Sequence, residues 1–377
     1  MLIEIHMLKN YPATNLNRDD MGAPKSCVFG GAQRGRISSQ CLKRSWRVSQ
    51  FLQKELSGYL GVRTRKMPQL VVEKLKYMGV ADEFLEVAKK KLTGFANKNG
   101  KESDLGITGQ LIIYSPEDIQ AVAEVVKQQI DELDDVKKFE KMKATDIEKM
   151  IKGVDSRPVS LDIALFGRMV TSPAFADVEA SMQVAHAFST NRVIMESDYF
   201  TAMDDMLTNN EELGAGMIGE VDYNSSCYYI YASLDVNKLL ENLKYSDSPE
   251  ALVEAAVPAL LRAMAYSNPS GKQNTFAGNV LPSAVLVECK DYPVPVSYAN
   301  AYSKPARAIH DRDLITVSIE ALQNKVLQTV EDFPSLGDVR RFWFSEGNSM
   351  PFDSDTGIVN TKNYDDLVES VTKVLEL

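Results

Sequence analysis

The residues best suited to bind an anion lie in one short stretch, FGGAQRGRISSQCLKRSWR, at positions 29–47. This stretch contains a glycine pair, five basic residues, two adjacent serines and no acid. Gly30 and Gly35 have the glycine spacing of a P-loop, but Arg36 and Ile37 stand where that motif has its Lys and its Ser or Thr. The Lys is needed at the phosphates and the hydroxyl at Mg²⁺, so the sequence argues against a nucleoside triphosphatase.

The charge of this region contrasts with that of the chain as a whole. The 377 residues carry a formal net charge of -10, yet residues 21–54 contain seven basic residues and no acid. Residues 196–222 show the opposite pattern, with eight acids and no base. An acidic chain with one acid-free basic segment indicates a surface for a polyanion such as a nucleic-acid backbone. The alternative is a solvated helix face, which is the common explanation of a charge stripe; we favour nucleic acid because of the length of the acid-free run.

Signals for catalysis or metal binding are weak. Three histidines, His6, His186 and His310, have no ligand spacing, and no GxSxG, HExxH or Cys/His signature occurs. We expect His186 to be a hydrogen-bonded structural residue. Asp19 and Asp20 are adjacent carboxylates, a pattern more typical of an exposed turn than of a metal site. We therefore expect no enzyme activity, no cofactor and no metal.

Several apolar and polar side chains have the character of nucleic-acid contacts. Tyr199 and Phe200 lie inside the acidic segment and could stack on bases, although such a pair more often anchors a segment on the core. Met169 could do the same through its flexible thioether, or fill a core. Lys272 and Gln273, in the turn SGKQNT, are further polar candidates.

Composition sets the broad class of the protein. A hydrophobic content of 44% with 25% charged residues is typical of a globular protein that buries a substantial core. The four cysteines lack metal spacing, and neither a signal peptide nor an apolar run of membrane-spanning length is evident. These features predict a cytoplasmic protein with reduced thiols.

The basic stretch must be positioned by a loop and a helix. Residues 2–8 alternate as a strand, residues 10–35 are rich in loop formers, and Ser38 or Ser39 caps a helix that we predict to run to Leu56. Its apolar face comprises Leu42, Trp46, Leu52 and Leu56. Its basic face comprises Lys43, Arg47, Gln50 and Lys54, at helical offsets of 0, 4, 7 and 11.

The remaining pattern predicts an α+β fold. A helical block covers 67–153, with Ser115 and Asp118 as a capping pair; strand-like runs follow at 159–166, 182–189 and 227–236. A helix at 248–266 and a strand at 283–289 come next, with later helices at 318–333 and 364–377. Without the helical block and the acidic segment, this order is the ferredoxin-like, RRM-type βαββαβ arrangement with two insertions.

The chain resembles a known family in several ordered motifs over roughly residues 1–300. These motifs are LNRDD, FGG, RISSQCLKR, DIALFGRM, VAHAFSTNRV, DYFTAMDD, NSSCYYIYA and GKQNTFA. Together they are similar to the CasC backbone subunit of the type I-E CRISPR surveillance complex, Cascade. The stretch RISSQCLKR with its upstream FGG is the most specific of them.

The resemblance implies a hand-shaped subunit. Its RRM-like palm would comprise residues 1–57, 182–192 and 225–377, the last with C-terminal helices. A helical fingers insertion would comprise 58–181 and a thumb hairpin 193–224. Copies of such a subunit assemble head to tail along a CRISPR RNA as a filament that does not close, and kink it periodically so that it can pair with target DNA.

The resemblance also implies site residues and partners. Met169, Tyr199 and Phe200 would prop the RNA kink, with Tyr at a position that we associate with Trp in the family. The RNA-binding residues would be Lys25, Arg34, Arg36, Ser38, Gln40, Lys43, Arg44, Arg47, Lys272 and Gln273. Lys138 and Lys141 could guide DNA. Other partners would be the large subunit, the small subunit, the 5′-end capping subunit and the guide-processing endonuclease.

Two alternatives belong to other functional classes. Backbone subunits of type III effector complexes resemble this chain and cut target RNA with a loop aspartate, a role for which Asp19 or Asp20 would be the candidate. A scaffold that binds only proteins is the second alternative. The first predicts metal-dependent RNA cleavage, and the second predicts preparations without nucleic acid.

Overall fold

The computed structural model describes residues 1–202, 217–336 and 338–375. The chain divides into two compact units. The first comprises 1–52, 184–233 and 257–377, and the second comprises 53–183 and 234–256. The predicted helical insertion at 58–181 falls within the second unit.

The described part of the chain contains both strands and helices. The strands are β1 (Leu2–Thr14), β2 (Ser26–Phe29), β3 (Ala32–Ile37), β4 (Val62–Thr64), β5 (Ile112–Tyr114), β6 (Met182–Val184), β7 (Ala187–Ser189), β8 (Glu196–Ala202), β9 (Met217–Asp235), β10 (Ala284–Lys290), β11 (Val339–Ser345) and β12 (Val359–Asn360). The helices are α1 (Ser39–Arg47), α2 (Gln50–Glu55), α3 (Met67–Tyr77), α4 (Asp82–Leu92), α5 (Pro116–Leu133), α6 (Val136–Lys141), α7 (Ala144–Met150), α8 (Leu161–Phe166), α9 (Val236–Leu243), α10 (Pro249–Tyr266), α11 (Gln273–Phe276), α12 (Leu314–Asp332) and α13 (Tyr364–Val374).

A mostly antiparallel sheet organises the first unit. Within the described residues its strands follow the order β12-β11-β10-β1-β9-β7-β3-β2. β1 pairs antiparallel with β10, β10 with β11, and β3 with both β2 and β7; β11 and β12 are parallel. Leu8, Leu286, Trp343 and Tyr302 belong to its core, with α12 packed there through Leu322. The α+β class predicted from the sequence is confirmed.

Charged side chains are buried within this sheet. Glu4 and Lys290 form an ion pair, and Glu288 accepts from Arg341 Nε at 2.6 Å. Burial by itself raises the pKa of Glu288, but His6, Lys290 and Arg341 outweigh that effect and lower it to about 2. Removing one partner of such a group leaves an uncompensated charge, so the network constrains the strands that carry it.

The second unit has its own helical core. Val71, Leu85, Val126 and Ile147 are among its buried residues, on α3, α4, α5 and α7. The predicted capping pair is confirmed, because Ser115 and Asp118 form a complete capping box at the start of α5. These contacts bear out the predicted helical block.

Three local predictions were wrong. The helix predicted from Ser38 to Leu56 is interrupted, because α1 ends at Arg47 and the Ser49 hydroxyl accepts from Leu52 N as α2 begins. The run at 159–166 is not a strand but contains α8, an ambiguity expected of a short buried apolar run. The predicted loop at 10–35 contains the end of β1 and a hairpin of β2 and β3.

Other predicted elements match the structure closely. The runs at 227–236 and 283–289 lie in β9 and β10, and the helix predicted at 248–266 is α10. The helices predicted at 318–333 and 364–377 correspond to α12 and α13, although residues 376–377 lie outside the described part. β11 was not predicted.

Candidate nucleic-acid interface

The glycine pair of the basic stretch forms a hairpin turn and not a phosphate loop. Phe29 pairs with Ala32 across Gly30 and Gly31, whose φ angles are 59° and 73°. Two consecutive positive φ angles are the signature of a two-residue type I′ turn, which favours glycine. A Cβ on Gly30 would also lie 1.8 Å from Ser303 O, so the close approach of the backbone there requires glycine too.

Arg34 is a correction to the predicted set of RNA-binding residues. Arg34 is 0% exposed. The hydrogen bonds that its guanidinium donates within the described part of the chain all go to main-chain oxygens. Nη1 reaches Ser189 O at 2.9 Å and Thr190 O at 2.7 Å, and Nη2 reaches Tyr302 O at 2.7 Å. Burial lowers its pKa. Arg34 therefore holds strands and loops of the first unit together and presents no donor to RNA in this conformation.

Arg36, two residues further along β3, has a different environment. Its guanidinium donates from Nε to Ser26 O at 3.3 Å and from Nη1 to His186 Nδ1 at 2.9 Å. Lys25 lies opposite Arg36 in the hairpin, since its carbonyl accepts from Arg36 N at 2.8 Å. Both side chains are partly exposed. This pair forms the part of the interface carried by the β2–β3 hairpin.

Helix α1 carries the second part of the interface. Leu42 and Trp46 are buried, as predicted, and Lys43 and Arg47 lie partly exposed one turn apart. Burial lowers the pKa of Lys43. Gln40 and Arg44 are exposed on the same helix.

Ser38 serves mainly as the N-cap of α1. Its hydroxyl oxygen accepts from Cys41 N, and the residue is buried. Its own N–H donates to Asn17 Oδ1 at 2.8 Å, which ties the helix to the loop before β2. Ser38 therefore positions α1. Its contact with RNA stays a prediction.

The hairpin and the helix are adjacent, because β3 ends at Ile37 and α1 begins at Ser39. Burial raises the pKa of the Cys41 thiol on α1, and the charges of Lys25 and Arg44 oppose that rise. We call Lys25, Arg36, Gln40, Lys43, Arg44 and Arg47 the basic surface. The break after Arg47 removes Gln50 and Lys54 from the predicted stripe, because helical offsets do not continue across an interruption.

The turn before α11 and the start of that helix contain two of the predicted RNA-binding residues, Lys272 and Gln273. Lys272 lines a cleft of about 250 Å³ together with Arg18, Gly22 and Asp222, at the base of the β8–β9 hairpin. Gln273 turns its amide inward, donating from Nε2 to Pro269 O and Gly278 O. Gln273 thus shapes the turn, and its contact with RNA stays a prediction.

The β8–β9 hairpin places Tyr199 and Phe200 on opposite faces. Tyr199 pairs with Glu220, and Phe200 pairs with Gly219, in an antiparallel ribbon whose side chains alternate. Tyr199 is 63% exposed and Phe200 is 39% exposed. The Phe200 ring covers Gly219, since a Cβ there would lie 2.4 Å from its Cζ. The two rings therefore cannot stack on the same base.

Part of the predicted thumb lies outside the described residues. The thumb prediction covers 193–224, and positions 203–216, including Asp204 and Asp205, belong to the part that the structure does not describe. The described part is the two strands of the hairpin.

The other predicted contacts lie in the second unit. Met169 is 91% exposed and follows Arg168, whose guanidinium is buried against Asp118. Its neighbour Val170 donates its N–H to Asp177 Oδ1 at 2.6 Å, which anchors the main chain. Lys138 and Lys141 are exposed on α6.

Sequence reasoning did not identify Arg18 and His186 as parts of this interface. Arg18 lies within the motif LNRDD, so the motif itself was a signal. The hydrogen bond of His186 was expected, but its partner Arg36 lies 150 residues away along the chain. Only the tertiary structure could supply that pairing.

Two features are absent from the described residues. In that part of the chain no group of three or more His, Cys, Asp or Glu side chains is arranged to hold a metal ion. Among the helices described, none is long and apolar enough to cross a membrane.

Comparison with known proteins identifies the family. The profile of the CT1975-like protein family matches residues 3–370. The chain belongs to this family. Curated protein sequences include no significant match.

Solved structures provide a further comparison for this family member. A chain of a structure titled "CRISPR RNA-guided surveillance complex, pre-nicking" is similar with a TM-score of 0.82 and 26% identity, covering 100% of both chains. A chain of a "CRISPR RNA-guided surveillance complex" is similar with a TM-score of 0.61 and 22% identity, covering 99% of each. At the lower identity the likeness concerns the fold alone.

Proposed function

We propose that this protein is a non-catalytic, repeated backbone subunit of a type I-E CRISPR RNA-guided DNA surveillance complex. The observation that carries the proposal is the basic surface, whose side chains are partly or fully exposed on the β2–β3 hairpin and α1. The similarity over the full chain to a chain of a CRISPR RNA-guided surveillance complex supports it. The basic surface holds guide phosphates, and base pairing between guide and DNA supplies the sequence specificity.

In this proposal the sheet of the first unit is an RRM-like palm. The four predicted palm strands lie in the order β10-β1-β9-β7, which is fourth, first, third and second along the chain. That order is the arrangement of a βαββαβ sheet. Residues 58–181 then act as the fingers and 193–224 as the thumb.

The thumb kinks the guide. Phe200 and Tyr199 have different roles in this, because they lie on opposite faces of the β8–β9 hairpin. Phe200 has its ring laid over Gly219 and acts as the wedge against a base, a contact that contributes about 1–3 kcal/mol. Tyr199 acts on the opposite face, beside Glu220. Met169 supplies a further apolar contact from the second unit.

Copies assemble head to tail, because each contact joins two different surfaces, one from each copy. The acidic thumb of one copy meets a basic surface of the next, which gives the filament its direction. The CRISPR RNA, the target DNA and the other Cascade subunits are the remaining partners. Because each copy repeats the same modest contacts, affinity accumulates along the RNA and falls steeply with salt.

A double charge reversal tests the proposal. We expect Lys43→Glu/Arg47→Glu to abolish co-purification with guide RNA in a variant whose far-UV circular dichroism shows that it is still folded, because both side chains are partly exposed on α1. Lys138→Glu/Lys141→Glu is a matched control of equal charge change in the second unit; it should retain guide RNA and weaken duplex DNA binding. A Lys43→Glu/Arg47→Glu variant that retains full-length guide contradicts the proposal.

The RNA-cleaving alternative is tested separately. Asp19 Oδ1 accepts from Met21 N at 2.9 Å and Ala23 N at 3.0 Å, contacts that support a role in closing the turn. Complementary RNA and Mg²⁺ are incubated with the assembled complex. Periodic cleavage that disappears on substitution of Asp19 or Asp20 would establish the enzyme.

A further inference from the structure

His186 lies at the edge of the basic surface, exposed and immediately before β7. The strand it leads into pairs with β3, with Ala187 opposite Ile37. Its Nδ1 is 2.9 Å from Nη1 of Arg36. This contact links the imidazole directly to a predicted phosphate-binding guanidinium.

The chemistry of this contact determines the tautomer of His186. A guanidinium has donors only and stays protonated, so Nδ1 must offer a lone pair. The imidazole is therefore neutral and carries its proton on Nε2. Burial, Arg36 and Lys25 all lower the pKa of His186, in keeping with a neutral ring near pH 7.

Arg36 is held on two sides. His186 binds Nη1 and Ser26 O binds Nε, which leaves Nη2, in the part of the chain that the structure describes, available to an anion. Lys25 is the other cation acting on His186. Arg36 thus has an N–H donor available beside the exposed His186 ring, whose Nε2 carries a proton.

We propose that His186 is a further nucleic-acid-binding residue, which orients Arg36 through Nδ1 and donates its Nε2–H to the RNA phosphate that Arg36 and Lys25 bind. This inference rests on the proposed function, because it names an additional contact of the same surface. It assigns His186 two separable roles, one for each ring nitrogen.

The two roles can be separated by substitution. His186→Asn places an amide oxygen near the position of Nδ1 and removes the outward donor. We expect the full-length chain with His186→Asn to bind a fluorescein-labelled single-stranded RNA about tenfold to a hundredfold more weakly, the loss of one hydrogen bond to a charged phosphate. The dependence of affinity on salt should be unchanged, because Arg36 keeps its acceptor and a neutral ring releases no counterion.

Other variants complete the test. His186→Ala should weaken binding further, because Arg36 loses its orientation as well. Arg36→Ala should lower the salt slope by about 0.7, the value for one phosphate contact on a single strand. His310→Asn, which changes the other exposed histidine, should bind like the unmodified chain. NMR of ¹³C,¹⁵N-histidine-labelled protein should show the Nε2–H tautomer of His186 at pH 7.

Unchanged binding by His186→Asn, or an Nδ1–H tautomer, overturns the assignment of His186. A failure of the proposed function would show in a different variant. If Lys43→Glu/Arg47→Glu retains RNA affinity, the surface itself is wrongly assigned. If that double variant loses binding while His186→Asn binds like the unmodified chain, only the role of His186 fails.

Discussion

Arg34 and Arg36 should respond in opposite ways to the same substitution. Both are arginines on β3, two residues apart, yet only Arg36 is partly exposed. We expect Arg34→Ala to destabilise the fold and Arg36→Ala to weaken RNA binding. Each variant is therefore the matched control for the other.

The cost of Arg34→Ala follows from its hydrogen bonds. Its contacts with Ser189 O, Thr190 O and Tyr302 O are 2.9, 2.7 and 2.7 Å long, and a bond from a charged donor contributes about 1.5–3 kcal/mol. Thr190 O also accepts from Ala306 N, so its loss is partly compensated. The expected loss in the free energy of unfolding is about 4 kcal/mol, a decrease of about 10 °C in midpoint for a domain of this size.

The assay is thermal unfolding followed by tryptophan fluorescence, with RNA affinity measured well below the midpoint. Arg36→Ala should unfold like the unmodified chain. If Arg34→Ala proves too unstable to purify, Arg34→Lys should give an intermediate loss, because an ammonium group cannot reproduce the planar fork. An Arg34→Ala variant of unchanged midpoint and weakened RNA binding would refute the structural role.

Three more predictions concern the hairpin, the second unit and the buried sheet network. Gly219→Ala should displace the Phe200 ring and weaken RNA binding about tenfold, with an unchanged unfolding midpoint. If the fluorescence of a 2-aminopurine base in the guide is the same with this variant, Phe200 does not contact a base. Asp118→Asn should destabilise the second unit by about 3–5 kcal/mol in urea unfolding, because Arg168 loses its buried partner; an unaltered midpoint would disprove this. Glu288 has its pKa lowered from 4.5 to about 2, so its stabilisation of about 3 kcal/mol should be present above pH 4.5 and lost as pH falls towards 2. Urea unfolding of Glu288→Gln should lack that pH dependence, and the same acid loss in the variant would contradict the assignment.

The sequence alone predicted features that depend on local periodicity and capping. Leu42, Trp46, Leu52 and Leu56 are all buried, although the helix that carries them is interrupted. The capping box at Ser115 also needs only neighbouring residues. Such patterns are reliable because the spacing of side chains along a helix is a property of the local backbone.

The separation of charge predicted a basic surface but not which residues of the segment are exposed on it. The acid-free segment does carry the basic surface, yet Arg34 and Ser38 within it are buried. Nothing in the spacing of Arg34 and Arg36 distinguishes them, because residues two apart on a strand share a face. The run at 159–166 was predicted as a strand and contains helix α8, because periodicity alone does not separate a short buried strand from a helix.

The tertiary structure decided these cases through contacts distant in sequence. Arg34 is buried because Tyr302 supplies a carbonyl from 268 residues away, whereas Arg36 stays partly exposed beside His186 from 150 residues away. Composition and periodicity thus determined that a cationic surface exists and which helix face packs. Which arginine stays exposed depended on the segments that cover the strand, because desolvation and hydrogen bonding act through space and not along the chain.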